Sequence, residues 1–134
     1  MKMTPLFFLL LLVVATTGFT DNLVLWNQTS YPNKKQESKI AIQWATTAKE
    51  VSESNTASIQ GLDLNPDTMQ MLPKGGKMHL SIPANAEYFR VIVWSTGGKD
   101  PDYLTNWVDV VPNKIYELKA DHLTPSVLMT GMGC

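Results

Sequence analysis

The stretch Tyr88-Phe89-Arg90-Val91-Ile92-Val93-Trp94 decides the fold. Every residue in it except Arg90 is apolar or aromatic, so both faces of an extended chain here are apolar. A strand with one face in water alternates between apolar and polar residues, whereas a strand covered on both sides reads as a nearly continuous apolar run. The stretch therefore predicts a central strand, with Val91 in the core.

Two flanking segments have the alternating pattern that the central stretch lacks. Their large apolar residues are Ile40, Ile42 and Trp44 in the first, and Met78, Leu80 and Ile82 in the second. A period of two places such residues on one face of a strand. Both segments are predicted to be half-buried strands, and Trp44 is expected in the core.

Further short apolar segments end in turn residues at a spacing of about ten, which favours strands. They cover residues 23–26, 57–60 and 127–129, together with a hairpin of 107–111 and 115–119 joined by Pro112-Asn113-Lys114. Seven or eight short strands at this spacing are typical of a β-sandwich or barrel. The expected fold is all-β, a single small antiparallel β-sandwich, Ig-like or jelly-roll-like.

Helices are expected to contribute little. Thr47 and Glu50 have the spacing of a capping box, but the segment 46–55 holds few apolar residues and is predicted to be a loop with at most one helical turn. A second single turn is predicted within 66–72. A parallel α/β fold requires long helices between its strands, so such a fold is not expected.

The first residues have the layout of a secretory signal. A short basic start precedes an apolar run from Leu6 to Ala15, and small residues follow. A membrane-spanning helix requires about twenty apolar residues, so an anchor is not expected. Residues 1–20 are predicted to be a signal peptide, cleaved between about 15 and 20, and 21–134 a single domain. The expected location is secreted or extracellular, periplasmic in a bacterium, with no integral membrane segment after cleavage.

Charge and cysteine content restrict the partners. The chain of 134 residues has a formal net charge of −1 with its charges interspersed, which does not favour nucleic acid or a membrane surface. Cys134 is the only cysteine, so a disulfide within the domain is impossible and a homodimer linked through Cys134 is possible. Asn27 begins the sequon Asn27-Gln28-Thr29 and is a glycosylation candidate.

No catalytic or metal motif is apparent in the sequence. The serine nucleophile-elbow pattern is absent, and His79 and His122 are too far apart in the chain to form a motif. Asp100 and Asp102 offer fewer acidic ligands than a typical calcium loop. The expectation is a protein that is not an enzyme and has no metal site and no cofactor.

The segment 95–106 is the strongest candidate for a binding site. It is long for a loop on a β-scaffold and is bracketed by two tryptophans, and long loops are often functional. Its candidate ligand-binding residues are Trp94, Lys99, Asp100, Asp102, Tyr103, Asn106 and Trp107. The predicted function is a secreted, non-enzymatic recognition module for a glycan or an extracellular protein. The alternatives are an exported structural or self-assembling protein, and a small membrane-active toxin or hydrolase.

Overall fold

A computed structural model of the chain describes residues 21–59 and 64–126, and these form two β-sheets and one α-helix. The strands are β1 (Asn22–Asn27), β2 (Lys39–Ala45), β3 (Met69–Met71), β4 (Gly76–Ser81), β5 (Tyr88–Trp94), β6 (Tyr103–Leu104), β7 (Val108–Asp109), β8 (Ile115–Leu118) and β9 (Thr124–Pro125). The helix α1 is Ala48–Ile59, and 3-10 turns lie at Lys34–Gln36, Pro66–Thr68 and Ala120–His122. The prediction of a mostly β, sandwich-like architecture is confirmed.

The predicted central strand is β5. It lies inside the large sheet, which has the order β3-β2-β5-β6-β9, with β7 also paired to β5. Its ladder with β2 is antiparallel and runs from Lys39↔Trp94 to Ala45↔Tyr88. Arg90 and Val91 point to opposite faces and both are buried, so β5 is covered on both sides as predicted.

The small sheet has the order β4-β1-β8. β1 is antiparallel to β4 but parallel to β8, so the prediction of a wholly antiparallel fold is wrong for this pair. The predicted hairpin is also wrong, because β7 pairs with β5 in the large sheet and β8 with β1 in the small one. Residues 110–114 therefore cross between the two sheets, and that crossing brings β8 to β1 in the parallel direction.

The main core lies between the two sheets. Its members include Leu23, Leu25, Met78, Leu80 and Leu118 from the small sheet, and Ile40, Ile42, Trp44, Phe89, Val91 and Val93 from the large sheet. Trp44 packs against Phe89 with ring centroids 5.9 Å apart. The alternation of apolar residues in β2 and β4 therefore identified the inward faces correctly.

The second face of β2 departs from the prediction. Ala41, Gln43 and Ala45 are buried as well, so β2 is not half-buried. Arg90 on β5 and Asn55 on α1 meet at hydrogen-bond distance, which places the helix over this face. The large sheet is thus covered by the small sheet on one side and by α1 on the other.

The helix itself was not predicted. The Thr47 hydroxyl accepts a hydrogen bond from Glu50 N at 3.1 Å, and the Glu50 carboxylate accepts one from Thr46 N at 2.7 Å. This cap begins a helix of 12 residues rather than one turn. The predicted strand at 57–60 is therefore wrong over 57–59, which are helical. Gln60, the predicted strand 127–129, the signal segment 1–20 and Cys134 lie outside the described residues.

Candidate functional site

The predicted binding loop is shorter than expected. Tyr103 and Leu104 form β6 within it and pair with β5 and β9. Leu104 and Thr105 are buried, and the Thr105 hydroxyl accepts a hydrogen bond from Val91 N at 2.9 Å. The open part of the segment is therefore 95–102, and the prediction of a single connection over 95–106 is corrected.

The remaining loop is fastened by its own polar groups. The Asp102 carboxylate accepts hydrogen bonds from Ser95 N, at 2.8 Å, and from the Ser95 hydroxyl. Trp94 Nε1 donates to the carbonyl of Lys99 at 3.2 Å. A Cβ atom added to Gly97, which has a φ of +73°, would lie 2.5 Å from the carbonyl oxygen of Glu37. These contacts close the loop and hold it against the segment before β2.

Tyr103 packs against the core rather than lying on the surface. It is half-buried, packs against the main core and pairs with Val93 and Pro125. The adjacent Lys99 and Asp100 are exposed. Of the five predicted binding residues from 94 to 103, Trp94, Asp102 and Tyr103 thus have a structural use, and so has the Lys99 carbonyl.

The two tryptophans that bracket the segment do not meet. Trp94 ends β5, whereas Trp107 lies beside Arg90 nearer the start of that strand. Arg90 Cζ is 4.6 Å from the centroid of the Trp107 ring, and Trp107 Nε1 donates to Asn55 Oδ1 at 3.0 Å. The predicted site residues are therefore divided between the loop, the helix-covered face of the large sheet and, for Asn106, a separate cleft.

This cleft is a candidate site that lies apart from the loop. Its volume is about 440 Å³, within the range of ligand sites in proteins. The small sheet and the 3-10 turn after it contribute Leu25, Tyr116, Glu117, Leu118, Asp121 and His122, and the large sheet with its connections contributes Phe89, Val91, Thr105, Asn106, Val108 and Thr124. The cleft therefore opens between the two sheets, where β8 faces β7.

The lining combines an apolar floor with a polar rim. Leu25, Val91 and Leu118 are buried and form part of the floor, whereas Glu117 and Asp121 are exposed at the rim. The Glu117 carboxylate accepts a hydrogen bond from Gln28 Nε2 at 3.0 Å and lies 3.9 Å from Lys119 Nζ. Binding pockets usually combine an apolar lining, which excludes water, with a few polar groups that fix the orientation of the ligand.

Two side chains of the cleft wall are held in place by hydrogen bonds. The Tyr116 hydroxyl donates to the Asp109 carbonyl at 2.7 Å and accepts from Val111 N at 2.8 Å. Partial burial raises the pKa of Tyr116, so the ring is uncharged at neutral pH. His122 Nδ1 accepts a hydrogen bond from Lys119 N at 3.1 Å, and its Nε2 lies 3.9 Å from the Asp121 carboxylate. The cleft is thus largely preformed.

A polar cluster lies under the helix, on the opposite face of β5. Arg90 is only 1% exposed, and its Nε donates to Gln43 Oε1 at 2.7 Å while one terminal nitrogen donates to Asn55 Oδ1 at 3.2 Å. Gln43 Nε2 in turn donates to the Thr68 hydroxyl at 3.2 Å. Burial lowers the pKa of Arg90 to about 10, so the guanidinium is charged at neutral pH and attaches α1 to the sheet.

The glycosylation candidate is a buried residue. Asn27 is 3% exposed, and its Oδ1 accepts hydrogen bonds from Thr29 N at 3.0 Å and from the Thr29 hydroxyl at 2.6 Å. Its Nδ2, the atom that would carry a glycan, donates to the Tyr31 carbonyl at 2.8 Å. Glycan attachment requires this side chain to leave that position, so glycosylation of Asn27 stays an untested prediction.

The described residues present no candidate metal centre. Over 21–59 and 64–126, no three His, Cys, Asp or Glu side chains are grouped so that they could hold a metal ion. His79 lies exposed on β4 and His122 at the rim of the cleft. Among the described residues, no helix is both long and apolar enough to cross a membrane.

Sequence reasoning missed the cleft because its lining comes from several separate segments. The local signals were Asn106 at the end of the predicted loop and the alternation of Tyr116 and Leu118 with Glu117 and Lys119. Neither signal shows that β8 lies across from β7. Comparison with protein-family models found no match, and comparison with curated proteins found none either.

Proposed function

We propose that this chain is an exported, non-enzymatic recognition domain that binds a protein partner in the cleft between its sheets. The observation that carries the proposal is the preformed cleft of about 440 Å³, with its apolar floor and hydrogen-bonding rim. Export is supported by the apolar run near the amino end. The sandwich-like arrangement, which resembles Ig-like and jelly-roll domains in presenting connections around two sheets, supports a recognition role.

The cleft favours a polypeptide over a glycan. Sugar rings stack on exposed aromatic faces, and the two aromatic rings here are already occupied. Phe89 meets Tyr116 edge to face at 4.9 Å, and Lys114 Nζ lies 4.9 Å from the centroid of the Tyr116 ring. The floor is otherwise aliphatic, which suits an apolar side chain of a partner. Asn106 is the one residue of the predicted loop site that lines this cleft.

The experiment selects ligands for the purified full chain from a display library of random linear decapeptides, with a glycan array in parallel. The variant Val108→Trp places a large ring at the mouth of the cleft, where Val108 is partly exposed. Met71→Trp, on an exposed residue of β3 outside the lining, is the matched control. We expect enriched peptides to bind at least about tenfold more weakly to Val108→Trp, with the control unchanged.

Two results would overturn the proposal. One is a library that yields no specific peptide while the glycan array gives a signal, which would change the ligand class. The other is a peptide whose affinity is unchanged by Val108→Trp, which would move the site away from the cleft. Melting temperatures of both variants within a few degrees of the parent show that folding is retained.

A further inference from the structure

The outer edge of β8 has backbone groups that point away from the small sheet. Val24 N donates to the Lys114 carbonyl at 3.0 Å, and Gln28 N donates to the Leu118 carbonyl at 2.8 Å. The register pairs Val24 with Ile115 and Trp26 with Glu117. In a parallel ladder every second residue of a strand bonds to the same neighbouring strand. Since Lys114 and Leu118 accept from β1, Tyr116 between them bonds to β1 as well. The N–H and C=O groups of Ile115 and Glu117 therefore point outward.

Nothing in the described chain pairs with these groups. β8 is the last strand of the small sheet, and no backbone hydrogen bond of the described residues joins Ile115 or Glu117 to another strand on that side. An unpaired strand edge is a template for another extended chain. Added strands gain affinity from such backbone bonds and specificity from pockets for alternate side chains.

The cleft lies beside this edge. Tyr116, Glu117 and Leu118 of β8 line it, and Phe89 and Val108 line the opposite side. Side chains of an added strand would alternate between the two faces of the small sheet. Those on the inner face would enter the cleft, and those on the outer face would cover Ile115, which is 54% exposed.

We infer that the partner binds as an extended segment that adds a strand to β8, which rests on the proposed function of the cleft. The charges at the rim define its chemistry further. Glu117 already lies 3.9 Å from Lys119 Nζ, whereas Asp121, with His122 Nε2 at 3.9 Å, has a side chain that is 84% exposed. The segment therefore carries apolar residues at alternate positions, with a lysine or arginine placed against Asp121.

The first test uses a peptide enriched by the library selection and two N-methylated versions of it. One version is methylated at the alternate amides that would face β8, and the other at the remaining amides. We expect the first to lose at least tenfold in affinity and the second to bind as the parent peptide does. Equal affinities of the two versions would overturn strand addition.

The second test changes the protein. Ile115→Pro removes an outward N–H at the first residue of an edge strand, where proline is tolerated. Ile115→Ala keeps that N–H and separates the backbone from the side chain. The matched control is His79→Pro on β4. Ile82 N donates to the Asp21 carbonyl, so every second residue from Ile82 bonds to β1, and His79, which lies between two such residues, directs its N–H away from β1. We expect only Ile115→Pro to lose tenfold or more.

Hydrogen exchange tests strand addition even if a proline variant fails to fold. Bound peptide should slow exchange of the Ile115 and Glu117 amides at least tenfold and leave Lys77 and His79 unchanged. A peptide that is sensitive to Val108→Trp but protects neither β8 amide would overturn strand addition and leave the proposed function standing. Dimerisation of the unliganded protein that protects the same amides would make a second copy the occupant and overturn the partner named here.

Discussion

Arg90 is a charged residue inside the strand that decides the fold, and its neighbours explain how it is accommodated. Burying a charge is costly unless hydrogen bonds compensate. Gln43 and Asn55 accept from the guanidinium, and the Trp107 ring lies against it. The sequence marks Arg90 as the exception in an apolar run. It could not identify the partners, because they come from β2, from an unpredicted helix and from the segment before β7.

The first prediction concerns the pair of Gln43 and Arg90. Gln43→Leu should lower the free energy of unfolding by about 2 to 3 kcal/mol, because it leaves a buried charged donor without its acceptor. Adding Arg90→Met removes that donor and fills similar volume with an apolar chain. The double variant should therefore recover most of the loss. Urea denaturation of the single and double variants measures this coupling.

A double variant that is less stable than Gln43→Leu alone would contradict this interpretation. Arg90 would then stabilise the fold mainly through Asn55 and Trp107. Asn55→Ala distinguishes the two cases, since it removes one acceptor from Arg90 and from Trp107 together.

Individual elements show where local patterns succeed and fail. Alternation in β2 and β4 and the apolar run in β5 identified three strands, because burial on one or two faces follows directly from side-chain period. Helix α1 was missed because its serine, threonine and asparagine residues give it little apolar surface. Its inward contacts are polar, through Asn55 and Ser58 to Arg90. The cap at Thr47 and Glu50 was the correct signal and was outweighed by composition.

The second prediction concerns the pH dependence of this cap. Hydrogen bonds from Thr46 lower the pKa of Glu50. A carboxyl whose pKa is lower in the folded state contributes stability above its unfolded pKa, about 4.3, and loses it as the pH falls through the folded value. Glu50→Gln should therefore be less stable than the parent at pH 6, and the difference should shrink at pH 3.

The matched control for the cap is Glu53→Gln, which makes the same charge change on the same helix. Its difference from the parent should show no comparable loss between pH 6 and pH 3. If both variants behave alike, the effect of Glu50 is one of net charge and the cap contributes nothing specific.

At the scale of the whole molecule, the fold depends on pairings between distant segments. β1 lies between β4 and β8, so the small sheet joins the start, middle and end of the described chain. Local patterns predicted 107–119 as a hairpin because β-prone runs separated by a short turn usually pair with each other. The two strands instead join different sheets. The cleft is a product of that separation, which explains why no local motif indicated it.

The same topology predicts which part of the molecule opens first. β2 and β5 pair over seven residues inside the large sheet, whereas β8 has four residues at the end of the small sheet. Elements with few partners open with lower free energy than the core. The Val24 and Gln28 amides, which bond to Lys114 and Leu118, report the opening of the β1–β8 pair.

Native-state hydrogen exchange should therefore find that Val24 and Gln28 open with a free energy about 2 kcal/mol below that of the amides joining β2 to β5, or about 30-fold more often. A strand bound along β8 would have to open together with it, so a bound peptide should reduce this difference. Equal free energies for both sets in the free protein would show that the two sheets open as one unit. The binding edge would then be as rigid as the core, and affinity would come from a preformed surface alone.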